Sequence, residues 1–247
     1  MAQKDKYGVE FSDDGKILIK CPDDFKGEYI VPDGVETIGE TAFAGSYDKW
    51  RDSYSGCTKL TAIVIPDSVK KIEAHAFEHC ENLQEVTFGN GLKEIGARAF
   101  KECYCLTSIT IPDNVTSIKK GAFQCCSHLT LINLGNGLKK IDKETFLDCA
   151  GLVSVIIGDK VSMIDEKAFK GCASLPEIIV PDNVTTLKRE AFNECRSLVT
   201  IKLGVGVKKI EWCAFIGCPN GASITLPKQC QCENNSELSN MMVTYYK

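Results

Sequence analysis

The chain has 247 residues, 44% hydrophobic and 25% charged, with a formal net charge of −4. That supplies a sizeable core for one elongated domain or two small ones. The mild acidity argues against nucleic acid or an anionic membrane surface as partner, because both select basic patches. The opening MAQKDKYGVEFSDDGK is polar and lacks the apolar stretch of a secretory signal. No run approaches the ~20 apolar residues of a membrane-spanning helix.

Residues 1–26 read as an N-terminal cap. An array follows over 27–227, built from units 23 residues long. Phe43, Phe77, Phe100, Phe123, Phe146, Phe169, Phe192 and Phe215 mark one register, broken once by an 11-residue insertion within about 45–56. Three residues after each Phe, with the insertion discounted, stand Cys57, Cys80, Cys103, Cys126, Cys149, Cys172, Cys195 and Cys218. Three residues later comes a Leu, from Leu60 to Leu198.

Each unit continues with a short alternating stretch, such as Ile63 and Ile65 or Val86 and Phe88. Period-two alternation of β-branched residues predicts a strand with one face buried. A Pro or Gly ends each strand: Pro66, Gly89, Pro112, Gly135, Gly158, Pro181, Gly204 and Pro227. An Ala-Phe step, as in Ala76-Phe77, follows and predicts a short helical or 3₁₀ turn. One unit cannot close a core alone, but stacked units can, with strands pairing in parallel at ~4.8 Å. In the last unit Gly221 replaces the ladder Leu, and the period is lost after Pro227. Residues 228–247 read as a cap or tail, with MMVTYY as a capping strand.

The pattern LxxIxI, then P or G, then V, I, AF and C, resembles the BspA-type (Treponema pallidum-type) leucine-rich repeats over roughly Asp14 to Leu226. The resemblance implies a right-handed leucine-rich-repeat solenoid, with a parallel β-sheet on one face and short helical or 3₁₀ turns on the other. It further implies a bacterial surface or secreted adhesin that binds host matrix proteins or other cells. Related sequences also occur in some protozoa. The chain as it stands carries no signal peptide, which leaves a cytoplasmic location open.

Candidate chemistry is sparse. Ladder cysteines one coil apart are spaced compatibly with disulfides, but a line of thiols does not converge as metal ligands must. They are expected to be reduced, buried packing residues. Cys21, Cys105, Cys125, Cys213, Cys230 and Cys232 lie off that register. His75 and His79 would share one face of a helix, yet with Glu78 beside them they read as a solvated turn surface. Asn114 and Asn183 sit in sequons within the repeated PDNVT turn, where Asn suits a turn for its own reasons; a third sequon begins at Asn234. No nucleophile–base arrangement or phosphate-binding loop is evident, so no enzyme activity, metal or cofactor is expected.

Two features point to binding. The outward strand face presents Val64, Glu85, Thr87, Leu131, Asn133, Ile156, Glu177, Ile179 and Lys202, and exposed aliphatics on a sheet can mark an interaction surface. The insertion carries Tyr47, Trp50, Arg51 and Tyr54, residue types enriched in interface hot spots, with the three aromatics on one side of a helical turn. The expectation is a non-catalytic scaffold for a protein ligand. The alternative is a spacer repeat or intracellular scaffold without a single dedicated partner.

Overall fold

A computed structural model of the protein describes residues 3–50, 53–233 and 238–246. The chain winds as a parallel β-solenoid in which each coil has three sides. The first side is a wide sheet, whose strands run from Lys26–Ile30 and Lys59–Ile65 through Glu85–Phe88 to Ser223–Leu226 and Met242–Tyr245. Its pairing is parallel and in repeat register: Glu177 lies opposite Thr200, and Leu131 opposite Ser154. The strand in MMVTYY extends this sheet beside Ser223–Leu226. The second side is a ladder of two-residue strands such as Lys71–Ile72 and Glu94–Ile95. At the N-terminal end the short strands Gln3–Lys4, Glu10–Phe11 and Ile17–Lys20 pair antiparallel and close that ladder.

The third side corrects one expectation. No helix forms there among the described residues. The residues two before and two after each ladder Phe adopt left-handed backbone: His75 and His79 around Phe77, Arg98 and Glu102 around Phe100, Glu190 and Glu194 around Phe192. Two such residues per turn forbid a right-handed helix. They also aim alternate amides outward, so His75, Phe77 and His79 donate to Ala97, Ala99 and Lys101 of the next coil at 2.7–2.9 Å. A helix would spend those donors within its own turn; here they bind coil to coil.

The core is a set of columns along the axis. Phe43 to Phe215 form one continuous stack, with successive centroids 4.7–5.6 Å apart and planes within 15°. The ladder cysteines are free, and Cys57 through Cys195 are fully buried. Each thiol from Cys103 to Cys195 donates to the Phe carbonyl of the preceding coil at 3.1–3.4 Å. Cys21 is buried but stands off the ladder: the Cys57 thiol donates to the Pro22 carbonyl at 3.6 Å, in the place of a ladder Phe carbonyl, and Phe25, three residues on from Pro22, occupies the cysteine position of that first coil.

Candidate interaction surface

On the wide sheet, alternation turns Ile63, Ile109, Ile132 and Ile178 inward and their neighbours outward. The inward Val86, Phe88 and Val155 are only partly buried, where full burial was expected. They mark two places where the sheet divides. Its strands fall into groups of three, three and four, with breaks between Glu85–Phe88 and Ser108–Thr110 and between Ser154–Ile156 and Glu177–Val180. The second break has a covalent cause. Gln84, Thr130, Val153 and Val199 each donate an amide to the preceding coil at 2.8–3.0 Å, and Pro176 stands in the same position without a donor. At the first break the equivalent bond, from Thr107 to Gln84, is stretched to 3.5 Å.

A hollow opens at each break. One, of about 350 Å³, is lined by Glu85, Thr87, Phe88, Ser108 and Thr110. The other, of about 270 Å³, is lined by Val153, Val155, Pro176, Glu177, Ile179 and Val199. Around the second lies an apolar patch. Ile156 and Ile179 are 54% and 56% exposed, with Leu131, Val153, Pro176 and Val199 also open to solvent. Of the residues expected on this face, Glu85, Thr87, Leu131, Ile156, Glu177, Ile179 and Lys202 are exposed, while Val64 and Asn133 are half-buried. Alternation does not place Val153, Pro176 and Val199 on this face, because they precede the strands by one residue. Their signal was legible: the same position holds Thr61, Gln84, Thr107 and Thr130 in the earlier coils.

The insertion is an antiparallel hairpin, not a helical turn. Tyr47 pairs with Tyr54 and Asp48 with Ser53, and the two Tyr rings lie 5.2 Å apart. Trp50 stands at the tip, 98% exposed; Arg51 lies outside the described residues. The Tyr54 ring packs 5.7 Å from His75 and so seats the hairpin on the third side.

Beneath it is a polar cluster where a solvated surface was expected. Glu78 is buried, bonded to His75 and to Lys101 Nζ at 2.8 Å. Glu102 gathers Lys101 at 3.1 Å, His79 at 3.1 Å and the Tyr104 hydroxyl at 2.7 Å. Burial alone would raise the Glu78 carboxyl; the hydrogen bonds from His75 and Lys101 outweigh it and hold the group below the ordinary glutamate range. Glu102 is lowered in the same manner, with Tyr104 and Lys101 overcoming burial. Among the described residues no three His, Cys, Asp or Glu side chains converge as a metal would require. The ladder thiols of Cys80, Cys103 and Cys149 are pushed well up by burial, which keeps them as unreactive thiols. Along the two-residue ladder, ion pairs run from coil to coil, as in Lys71–Glu94 at 3.9 Å, Lys119–Glu94 at 3.6 Å and Lys188–Glu211 at 2.9 Å. These are half-exposed pairs of small individual worth, and they satisfy that face internally.

Known structures share this architecture. A leucine rich cell surface protein from Faecalibacterium prausnitzii A2-165 is 27% identical, with a TM-score of 0.70 over 94% of this chain and 72% of its own. The T. pallidum leucine rich repeat protein is 26% identical, with a TM-score of 0.65 over 79% of this chain and 91% of its own. A leucine-rich repeat protein from Bacteroides ovatus ATCC 8483 is 26% identical, with a TM-score of 0.63 over 93% and 71%. None of the curated proteins compared matches the chain. The BspA type leucine rich repeat region pattern matches in six copies over residues 51–176 and 162–244, and the chain belongs to that family.

Proposed function

We propose that the protein is a non-catalytic scaffold that binds a protein ligand on the outward face of its wide sheet. The observation that carries this is the apolar patch of Leu131, Val153, Ile156, Pro176, Ile179 and Val199. Contiguous exposed aliphatics on a rigid sheet gain from desolvation without a large ordering cost. The short-strand ladder, by contrast, is lined by ion pairs satisfied within the protein. Family membership supports an adhesin-like role at a bacterial surface or in secretion, with host matrix or partner-cell proteins as ligands. In this reading 1–26 and 228–247 close the ends of the array at 27–227. A second reading places recognition on the hairpin, favoured by the full exposure of Trp50. A spacer role would leave both surfaces without a ligand.

The test compares capture from extracellular matrix and from native lysate by the wild type, Ile156→Glu with Ile179→Glu, and Trp50→Ala with Tyr54→Ala. Loss of a wild-type partner only in the strand-face variant is expected. Loss only in the hairpin variant would move recognition to the insertion, and self-association without a ligand would favour the spacer.

A further inference from the structure

Between Ala62 and Glu177 the outward face carries little charge; exposed Lys202 lies beyond it, beside Ile179, and exposed Glu28 before it. In the row Glu28, Ala62, Glu85, Ser108, Leu131, Ser154, Glu177, Thr200, Ser223, set by the strand registers and, across the two breaks, by the 23-residue period, Glu85 and Glu177 are the charged residues from Ala62 onward. They are equivalent residues four coils apart, and each lines one of the two hollows at the sheet breaks. Both are exposed, and neither makes an ion pair among the described residues. This contrasts with the short-strand ladder, where Glu73, Glu94 and Glu211 are all paired. Covering an unpaired carboxylate with an apolar partner removes its water and returns nothing, so a partner that seats in these hollows must bring cations.

Four coil steps at the ~4.8 Å of paired strands put the two glutamates at least ~19 Å apart, since two of those steps cross the breaks. An extended chain rises ~3.3 Å per residue, so that distance is about six residues. An even number returns side chains to the same face of an extended peptide. Between the glutamates the row offers Ser108, Leu131 and Ser154, with Ile156 alongside, a surface suited to aliphatic side chains.

We propose that the wide sheet is a ruler for an extended segment of a partner protein, laid across the strands, with two cationic side chains six residues apart seated on Glu85 and Glu177 and aliphatic side chains between them. This deepens the strand-face reading and rests on it.

The probe is a blocked, labelled heptapeptide, Arg-Ser-Leu-Ser-Leu-Ser-Arg, titrated by fluorescence anisotropy. Its control, Arg-Ser-Leu-Ser-Leu-Arg-Ser, has the same composition with the arginines five apart and on opposite faces. The first should bind more tightly, and more weakly as salt rises. Glu85→Gln and Glu177→Gln should each weaken it roughly three- to fivefold and together abolish the preference for spacing. Equal binding of the two peptides, no binding of either, or indifference to both substitutions overturns the ruler. Binding that Ile156→Glu with Ile179→Glu removes but the glutamine variants leave intact overturns it too, while the strand-face reading stands.

Discussion

Asp67 Oδ1 accepts the backbone amide of Asn90 at 2.6 Å, tying the turn of one coil to the turn of the next. The same bond joins Asp113 to Asn136 at 2.7 Å and Asp182 to Val205 at 2.9 Å. In each case a Pro-Asp turn is followed by a Gly-x-Gly turn, and the glycines exist for the close approach. A Cβ on Gly91 would fall on the Asp67 carbonyl, and one on Gly89 would lie about 2.5 Å from the Asp67 amide nitrogen. Gly91→Ala should therefore lower stability by ~1–3 kcal/mol. Asn90→Ala, at an exposed side chain beside it, should stay within ~0.5 kcal/mol. Chemical denaturation of both variants checks the pair, and equal midpoints would refute the packing account.

The left-handed turns store a correctable cost. Arg98 has a φ of 53° with its side chain in solvent and without an ion pair among the described residues. A residue with a Cβ in that region is disfavoured by ~1–2 kcal/mol, part of which glycine returns as greater freedom of the unfolded chain. Arg98→Gly should raise stability by about 0.5–1 kcal/mol, whereas glycine at the neighbouring Ala97 should lower it by a similar amount. A gain at both positions, or at neither, would count against strain as the cause.

Glu78 links stability to acid. Its folded carboxyl lies below the ordinary value, so its contribution is fully present above the unfolded pKa near ~4.3 and is lost as pH falls through the lower folded pKa. Glu78→Gln should destabilise the protein at neutral pH, because Lys101 and His75 lose a buried partner. The same variant should show a shallower fall in stability below about pH 4.3 than the wild type. Melting curves between neutral and acid pH read both effects, and parallel wild-type and variant profiles would remove Glu78 from the linkage.

The features legible in the sequence are those that every coil repeats. Phe77 meets Phe100 and Cys80 meets the Phe43 carbonyl because identical positions stack, so register alone located the core. The left-handed turns were hidden because His75, Arg98 and Glu190 occupy a site where side-chain chemistry gives no backbone signal; Gly45, Gly121, Gly171 and Gly217 in the same registers hinted at it. The Glu78 cluster was invisible for a related reason. It joins a variable position in one coil to a variable position in the next, and a repeat pattern averages such pairs away. On the candidate face, Ile156 and Ile179 follow from alternation, whereas the break beside them depends on the amide that Pro176 lacks, which alternation does not register.

Coil deletion turns the solenoid into a test of distance. Removing Cys103 to Cys125 takes out one full period, including the strand Ser108–Thr110 and the ring of Phe123. Phe100 would then stack on Phe146, and the strand at Glu85 would lie beside the strand at Leu131, each in a register its neighbours already use. Contacts in a solenoid are nearest-neighbour, so the loss is one coil and one interface, and the protein should remain folded and cooperative by circular dichroism. The same deletion brings Glu85 and Glu177 from four coils apart to three, ~14 Å, which is about four residues of extended chain. The deletion variant should therefore prefer Arg-Ser-Leu-Ser-Arg-Ser-Leu, with arginines four apart, over the six-apart peptide favoured by the wild type. Composition, net charge and apolar content are the same in both peptides, so a reversal of preference can come only from the spacing of the two glutamates. A folded deletion variant that keeps the six-residue preference would show that the peptide is held elsewhere on the molecule.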